Sequence, residues 1–240
     1  MHYLKQGVFH VDKIIHLNEM NVDDLFKSDH TLAWKYLVEL RWPWEAIPLI
    51  ASYVKELGAE LDESEYEERP GNVWIHKSAD IAPTAYIGAD IIIGADTFVA
   101  HCAYIRGPAI VGNGAMIGNS TEIKNVILFD GVQVPHFNYV GDSILGHKSH
   151  FGAGVITSNV KSDSSLVSVI YGENRIETGL KKFGAIIGDN VEIGCNAVLN
   201  PGTVVGAQST VYPLSMVRGF VPANSIYKKQ GEIAKKKLNM

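Results

Sequence analysis

IAPTAYIGADIIIGADTFVAHCAYIRGPAIVGNGAMIGNSTEIKNVIL, residues 81–128, cuts into sixes, and every six begins on Ile or Val. Extended one step either way, the beat runs from Ile75 through Ile81, Ile87, Ile93, Val99, Ile105, Val111, Ile117 and Ile123 to Phe129; four of these ten residues are followed by Gly. A period of six fits neither the 3.6 of a helix nor the alternation of a simple strand. Hexapeptide repeats of this kind build a β-helix. Each six supplies a short strand and a corner, and three sixes close one coil of a triangular prism. The leading aliphatic side chain points inward, where successive coils stack into an apolar column. Gly and Asn near the corners admit backbone angles that β-branched residues resist.

The beat resumes at Leu145, Phe151 and, more weakly, Thr157, then again at Ile187, Ile193, Leu199, Val205, Val211 and Val217. The step from Phe129 to Leu145 is not a multiple of six, so the register is reset within residues 135–144, which contain PHFNYVGDS and read as a loop. A second interruption, VKSDSSLVSVIYGENRIETGLKKFG at 160–184, is polar and reads as a protruding loop, long enough to suggest a functional role. Ahead of the repeat, DHTLAWKYLVELRWPWEAIPLIASYVKELGAE is apolar at helical spacing and interrupted at Pro43. Its tryptophans, Trp34, Trp42 and Trp44, read as packing residues rather than a ligand cage. ELDESEYEERPGN reads as an acidic linker, and SIYKKQGEIAKKKLNM as a short basic helix. The expected organisation is an N-terminal helical extension and linker at 1–70, a mainly β prism at 71–222 with loops at 135–144 and 160–184, and a C-terminal helix at 223–240.

Composition narrows the function classes. A formal net charge of −5 argues against general binding of nucleic acid or anionic membrane. The two cysteines, Cys102 and Cys195, make no disulfide framework and no Cys-rich metal pattern. MHYLKQGVFHVDKIIHLNE is broken by charge and lacks the apolar core of a secretory signal. No apolar run approaches the ~18 residues of a membrane span. A cytoplasmic protein is expected.

The segment AYIRGPAIVGNGAMIGNSTEIKNVILFDGVQVPHFNYVGD (103–142), continued by SILGHKSHFGAGVITSN (143–159), resembles the hexapeptide-repeat acyltransferases. Within that superfamily it is similar to the acetyltransferase domain of the bifunctional enzyme of UDP-N-acetylglucosamine synthesis. The resemblance implies a left-handed parallel β-helix and transfer of acetyl from acetyl-CoA, as co-substrate, to an amino-sugar phosphate, with glucosamine-1-phosphate the expected acceptor. It makes His136 the general base, sets Arg106 and Lys124 on the sugar phosphate, and puts Tyr139 beside the sugar. Asn159 would lie near the acetyl group and Ala153 near the thioester through its backbone. KKFGAIIGDNVEIGCNAV (181–198) restores the match, with Lys182 at a family lysine and Cys195 at a small CoA-contacting position. In this family acetyl-CoA sits between neighbouring prisms, which implies a homotrimer.

Two features depart from the family. His150 stands where the family has Asn, at the sugar side of the site, and the 160–184 segment is much longer than its counterpart. The segment 1–70 is also too short for a nucleotidyltransferase domain and holds no Gly-rich nucleotide loop, so that activity is not expected.

The residue types suit the chemistry. An amine attacking a thioester sheds a proton as the tetrahedral adduct forms, and His is matched to that task near neutral pH. A phosphate dianion calls for the fork of Arg with Lys as a second charge. Asp142 is read as the group that orients His136. No tightly bound metal is required. Two rival readings carry different expectations. One is an inactive sugar-phosphate or sugar-nucleotide binding subunit that works with a separate nucleotidyltransferase through its N-terminal helices. The other is a zinc lyase like the carbonic anhydrases of this fold, with His136, His147 and His150 as ligands.

Overall fold

The computed structural model describes residues 19–27 and 29–236. Residues 1–18, including most of the stretch read for a secretory signal, and residues 237–240 lie outside the described residues. Stacked parallel strands form a β-solenoid of about nine turns, and only about 11% of the described residues are helical. Among the described residues no helix is long and apolar enough to cross a membrane.

Each coil lays one short strand on each of three faces. The first coil runs from Val73–His76 to Asp80–Ile81 to Tyr86–Ile87, and Ile91–Ile93 then begins the second beneath Val73–Ile75. The inward column expected from the repeat is present: Ile75, Ile93, Val111, Leu128, Leu145, Ile187, Val205 and Val221 stand in register from coil to coil. Where a Gly follows the leading aliphatic residue, it has a steric cause. A Cβ on Gly118 would overlap the carbonyl of Pro135 in the next coil, and one on Gly88 would come 2.7 Å from the Arg106 carbonyl.

The register change is not where the sixes place it. Phe129 does not hold the inward position; Leu128 does, because the preceding corner is one residue shorter and turns on Asn125 alone, at φ 55°. The next coil repeats the device at Asp142, φ 48°. Asn and Asp tolerate this left-handed backbone better than other non-Gly residues. Consequently 135–144 is not a loop. Strand covers Gln133–His136 and Tyr139–Leu145, and only Phe137 and Asn138 form the corner between them. Phe129, moved off the column, packs instead on Phe26, with ring centroids 4.8 Å apart and planes tilted by 32°.

One face is roofed on its outside. Its strands Ile91–Ile93, Ala109–Val111, Val126–Leu128, Ala185–Ile187 and Thr203–Val205 are buried at every residue, so their outward side chains are as hidden as their inward ones. The N-terminal extension supplies much of the cover. It contains helices α1 (Val22–Leu25), α2 (Trp34–Leu37) and α3 (Ile50–Gly58), with a 3₁₀ segment over Pro43–Leu49. α3 buries Ile50, Tyr53, Val54 and Leu57, three or four residues apart, against this face. Gly58 leaves room for the Trp74 ring, which a Cβ would strike. Trp42 and Trp44 are buried and stacked, as their reading as packing residues expects, and Trp34 is partly buried against the same core.

The 160–184 segment covers the rest of the face, so it is not a protruding loop. Ser168–Tyr171 and Asn174–Glu177 pair as an antiparallel hairpin around Gly172–Glu173, with Gly172 at φ 59°. Val167 and Val169 are fully buried, and Tyr171 packs on Phe220. The segment leaves and rejoins the solenoid at one place, where the Phe183 N–H donates to the Asn159 carbonyl at 3.0 Å.

Both ends differ from expectation. Within the acidic linker, Tyr66–Arg69 is a strand, antiparallel to Val73–His76. The C-terminal segment is β, not helical, over its described residues: Ser225–Lys229 continues the solenoid in parallel with Thr210–Val211, and Glu232–Lys235 folds back on it. The turn at Gln230–Gly231 (Gly231 φ 77°) makes that reversal, and the paired backbone satisfies the last coil's edge.

The roof is pinned at the corner leading out of it. The Asp130 N–H donates to the His30 carbonyl, the Asp189 N–H to the Leu25 carbonyl, and the Asp189 carboxylate accepts from the Lys27 N–H at 2.7 Å. His30 stacks on His147 at 3.7 Å. Burial first, then the neighbouring His30, hold the His147 pKa below its ordinary value of 6.5. Because the unfolded chain then takes up the proton before the folded one, stability is kept above pH ~6.5 and falls as pH drops from there through the folded pKa. Asp189 acts oppositely: burial raises it above 3.8, so its neutralisation stabilises the fold at still lower pH. Thermal melts should therefore show a lower melting temperature at pH 5.5 than at 7.5, and His147→Phe should flatten that difference.

Candidate active site

The functional candidates concentrate on one of the two unroofed faces, built from Tyr86–Ile87, Tyr104–Ile105, Glu122–Lys124, Tyr139–Gly141, Ile156–Thr157, Val198–Leu199 and Met216–Val217. Parallel pairing from each coil to the next aligns the corner after this face, so that Arg106, Lys124 and Asn159 fall along one edge. The opposite edge carries His136, Ala153 and Cys195. There the Gly154 N–H donates to the His136 carbonyl at 3.0 Å, and the Asn196 N–H to the Ala153 carbonyl at 2.8 Å.

Three of the predicted residues meet in one hydrogen-bonded group, and its centre is Asp142. The Asp142 carboxylate is almost fully buried. Its Oδ1 accepts from Lys124 Nζ at 3.2 Å and Asn125 Nδ2 at 2.8 Å, and its Oδ2 accepts from Asn159 Nδ2. Asn159 Nδ2 also reaches Tyr139 Oη at 3.3 Å. Tyr139 thus accepts a hydrogen bond and keeps its own proton free to donate. Burial pushes its phenol above the ordinary pKa, against the effect of the Asn159 amide, so the proton stays on through neutral pH.

This arrangement corrects the reading of Asp142 as the partner of His136. Asp142 turns the corner at one edge of the face and His136 stands at the other, and both Asp142 oxygens are engaged by Lys124, Asn125 and Asn159. The sequence alone missed Asn125 and the organising place of Asp142. The signal was their separation, which falls one position short of a full coil of three sixes.

Arg106 is exposed and pairs with Glu122 at 3.2 Å; that hydrogen bond raises its pKa further and fixes it as a cation. Lys182 is exposed beside Phe183, next to the point where the hairpin rejoins Asn159. Cys195 is an exposed free thiol packed over Gly152, where a Cβ would come 2.8 Å from its sulfur. His150 lies on the other unroofed face, its Nδ1 2.8 Å from Glu192 Oε2, in an open cleft with Gln133 and Lys148. Within one chain it is therefore not brought to the Lys124 group. Nor do His136, His147 and His150 converge: His147 lies under the roof against His30, and the other two stand on different strands of the solenoid. Among the described residues no group of three or more His, Cys, Asp or Glu is placed to hold a metal ion.

Asp142 gives a direct test of this geometry. Asp142→Asn keeps the size and the tolerance of positive φ but removes the charge facing Lys124. A loss of about 2 kcal/mol is expected for hydrogen bonds to a charged group, which is ~4–8 °C in melting temperature for a chain of this size. Differential scanning calorimetry reads it, and an unchanged melting temperature would mean that the carboxylate does not organise the edge.

Fold and site define a hexapeptide-repeat β-solenoid with a polar, hydrogen-bonded group on one open face. It is similar to part of several curated bifunctional proteins. Over its C-terminal half the chain is 36% identical across 107 residues to the bifunctional sugar-1-phosphate nucleotidylyltransferase/acetyltransferase of Sulfurisphaera tokodaii, covering 45% of this chain and 27% of that one. It is 36% identical across 119 residues to the bifunctional protein GlmU of Methanococcus vannielii (50% and 28%), and 33% identical across 118 residues to that of Methanocaldococcus jannaschii (49% and 29%). The matched part is less than a third of the length of these relatives. No family model matches the chain. Among solved structures, the acetyltransferase domain of PglB from Neisseria gonorrhoeae FA1090 in complex with acetyl coenzyme A aligns over 75% of this chain and 62% of its own. At 18% identity and a TM-score of 0.33, it carries nothing over about ligands.

Proposed function

We propose that this protein is an acetyl-CoA-dependent N-acetyltransferase acting on an amino-sugar phosphate, with glucosamine-1-phosphate the first candidate, in the synthesis of a UDP-N-acetylglucosamine-type sugar nucleotide. The observation that carries the reading is the Lys124–Asp142–Asn159–Tyr139 group with Arg106 on the same edge. Two cations, a phenol with a free proton and a fixed amide suit a phosphorylated sugar. His136, on the opposite edge, takes the proton from the attacking amine as it adds to the thioester carbonyl. Collapse of the adduct expels the CoA thiolate and leaves the amide. No covalent enzyme intermediate is involved.

On this reading the site is completed by a second copy of the chain. The open face exposes Tyr86, Tyr104, Val198 and Met216, and the corner leading to it exposes Phe137 and Leu214. A row of exposed apolar side chains of this size favours burial against a partner. A homotrimer would also let an edge bearing His136 in one copy face an edge bearing Lys124 in the next, with acetyl-CoA between them and His150 at the rim.

The test follows thiol release from acetyl-CoA with a panel of amino sugars and their phosphates. Release that requires an amino-sugar phosphate is the expected result. A folded oligomer that binds such phosphates without releasing thiol would replace this reading with that of a non-catalytic binding subunit.

A further inference from the structure

The 160–184 hairpin does more than roof the solenoid. Where it leaves the prism it builds, with the next coils, a cleft of about 290 Å³ lined by Ser158, Lys161, Asp163, Pro201 and Arg218. A smaller adjoining hollow adds Arg175 from the hairpin's second strand beside Lys161 and Arg218. Two of these three cations come from the insertion and one from the solenoid edge.

Their charges are unevenly met. Lys161 Nζ lies 3.8 Å from Asp163 Oδ2 and donates to the Leu166 carbonyl at 3.4 Å and to Ser165 Oγ. Arg175 donates only to Ser168 Oγ, at 3.4 Å, and no carboxylate lies within 4.0 Å of either Arg175 or Arg218 among the described residues. Arg175 and Arg218 both line the smaller hollow, whose lining holds no carboxylate; two guanidiniums there repel each other, and a multivalent anion relieves that repulsion while using their planar donors.

We infer that this cleft binds the phosphate groups of a nucleotide, and that the adenosine 3′,5′-bisphosphate part of acyl-CoA is the one it takes. Position separates it from the sugar-phosphate end of the site. Lys124, Gly141, Ser158, Asn200 and Arg218 follow one another coil by coil along the same edge. Four steps of ~4.8 Å put Arg218 ~19 Å from Lys124, too far for both to hold one phosphate. The cleft nevertheless opens at Ser158, beside Asn159, where the acetyl group is proposed to lie. A long ligand with its reacting end at Asn159 and its phosphates at Arg175 and Arg218 fits that layout. The ligand's identity rests on the acyl-CoA reading, whereas the anion site does not.

The test is calorimetric titration of the intact chain at low salt with adenosine 3′,5′-bisphosphate, ADP and UDP, none of which can turn over. It compares the native protein with Arg175→Gln/Arg218→Gln, which leaves Arg106, Lys124, Tyr139 and Asn159 in place. Tightest binding of the bisphosphate, weakened roughly tenfold or more in the double variant, is the expected result. In turnover, the variant should raise the KM for acetyl-CoA with kcat little changed. UDP bound more tightly than the bisphosphate, with the same weakening, would keep the site and move its source to the diphosphate of a sugar-nucleotide. Absence of binding by all three probes, or equal affinity in native and variant protein, would overturn the inference even if acetyl transfer is observed. Bisphosphate binding without any thiol release would leave the cleft standing and remove the enzyme reading instead.

Discussion

His136→Ala is expected to lower kcat by about 10²–10⁴-fold, the usual contribution of a positioned acid–base group, while leaving the fold and the acceptor KM close to native. The separation is expected because the corner holds its shape without the imidazole. The His136 N–H donates to Asn138 Oδ1 at 3.1 Å, and its carbonyl accepts from Gly154. Asn138, itself buried, donates to the Gly152 carbonyl at 2.8 Å. None of these bonds uses the ring, which stands exposed at the end of its strand. A variant that turns over at the native rate would exclude His136 as the base. A variant with a collapsed melting temperature would show that the ring supports the corner, and His136→Asn would then be the cleaner comparison.

The prism was clear in the sequence because its repeat is a steric requirement: an aliphatic residue inward once per strand and, at several corners, a Gly where the next coil passes closest. The roof was equally legible, but in a different pattern. Alternation of apolar and polar residues is absent from III at 91–93, AIV at 109–111, VIL at 126–128 and AII at 185–187; these strands are apolar throughout. A strand apolar on both sides is buried on both sides, and that reading would have placed the N-terminal helices on the prism. VSVIYGENRIET likewise shows β-branched and aromatic residues flanking a Gly-led two-residue turn, a hairpin signal hidden by the polar composition around it. In the C-terminal segment, charge density suggested a helix, whereas Ile226, Tyr227 and Ile233 about Gly231 specify paired strands.

The candidate site was legible as residues and not as an arrangement. Lys124, Tyr139 and Asn159 do meet, but Lys124 is joined to Asn159, and through it to Tyr139, by Asp142, which the linear sequence placed beside His136 because the two are so close along the chain. In a solenoid, one hexapeptide spans a whole face, and only a full coil returns the chain to the same edge. Neighbours in sequence are therefore on different edges, and partners lie a coil apart. The same geometry separates His150 from the Lys124 group within one chain.

The second large effect is on stability and tests the roof. Trp44→Ala is expected to cost about 3–5 kcal/mol, as for other buried large aromatic truncations, or ~6–20 °C in melting temperature. Trp44 is 2% exposed and stacks on Trp42 with centroids 4.9 Å apart, and its other neighbour is Phe183 at 5.9 Å. It therefore joins the N-terminal cover to the segment by which the 160–184 insertion returns to the solenoid, the two pieces that hide one face. A cavity there has little means of collapsing, because the solenoid beneath is held by backbone ladders on both sides of every coil. Phe183 also donates its N–H to the Asn159 carbonyl at 3.0 Å. Loosening it should disturb the Asn159 amide that bridges Asp142 and Tyr139, so the same variant should lose activity by more than its unfolded fraction explains. Trp44→Phe, which keeps a ring on Phe183, should recover most of both losses. Recovery of stability without activity would locate the coupling in the indole itself, and loss of neither in Trp44→Ala would show that the roof does not hold the edge in place.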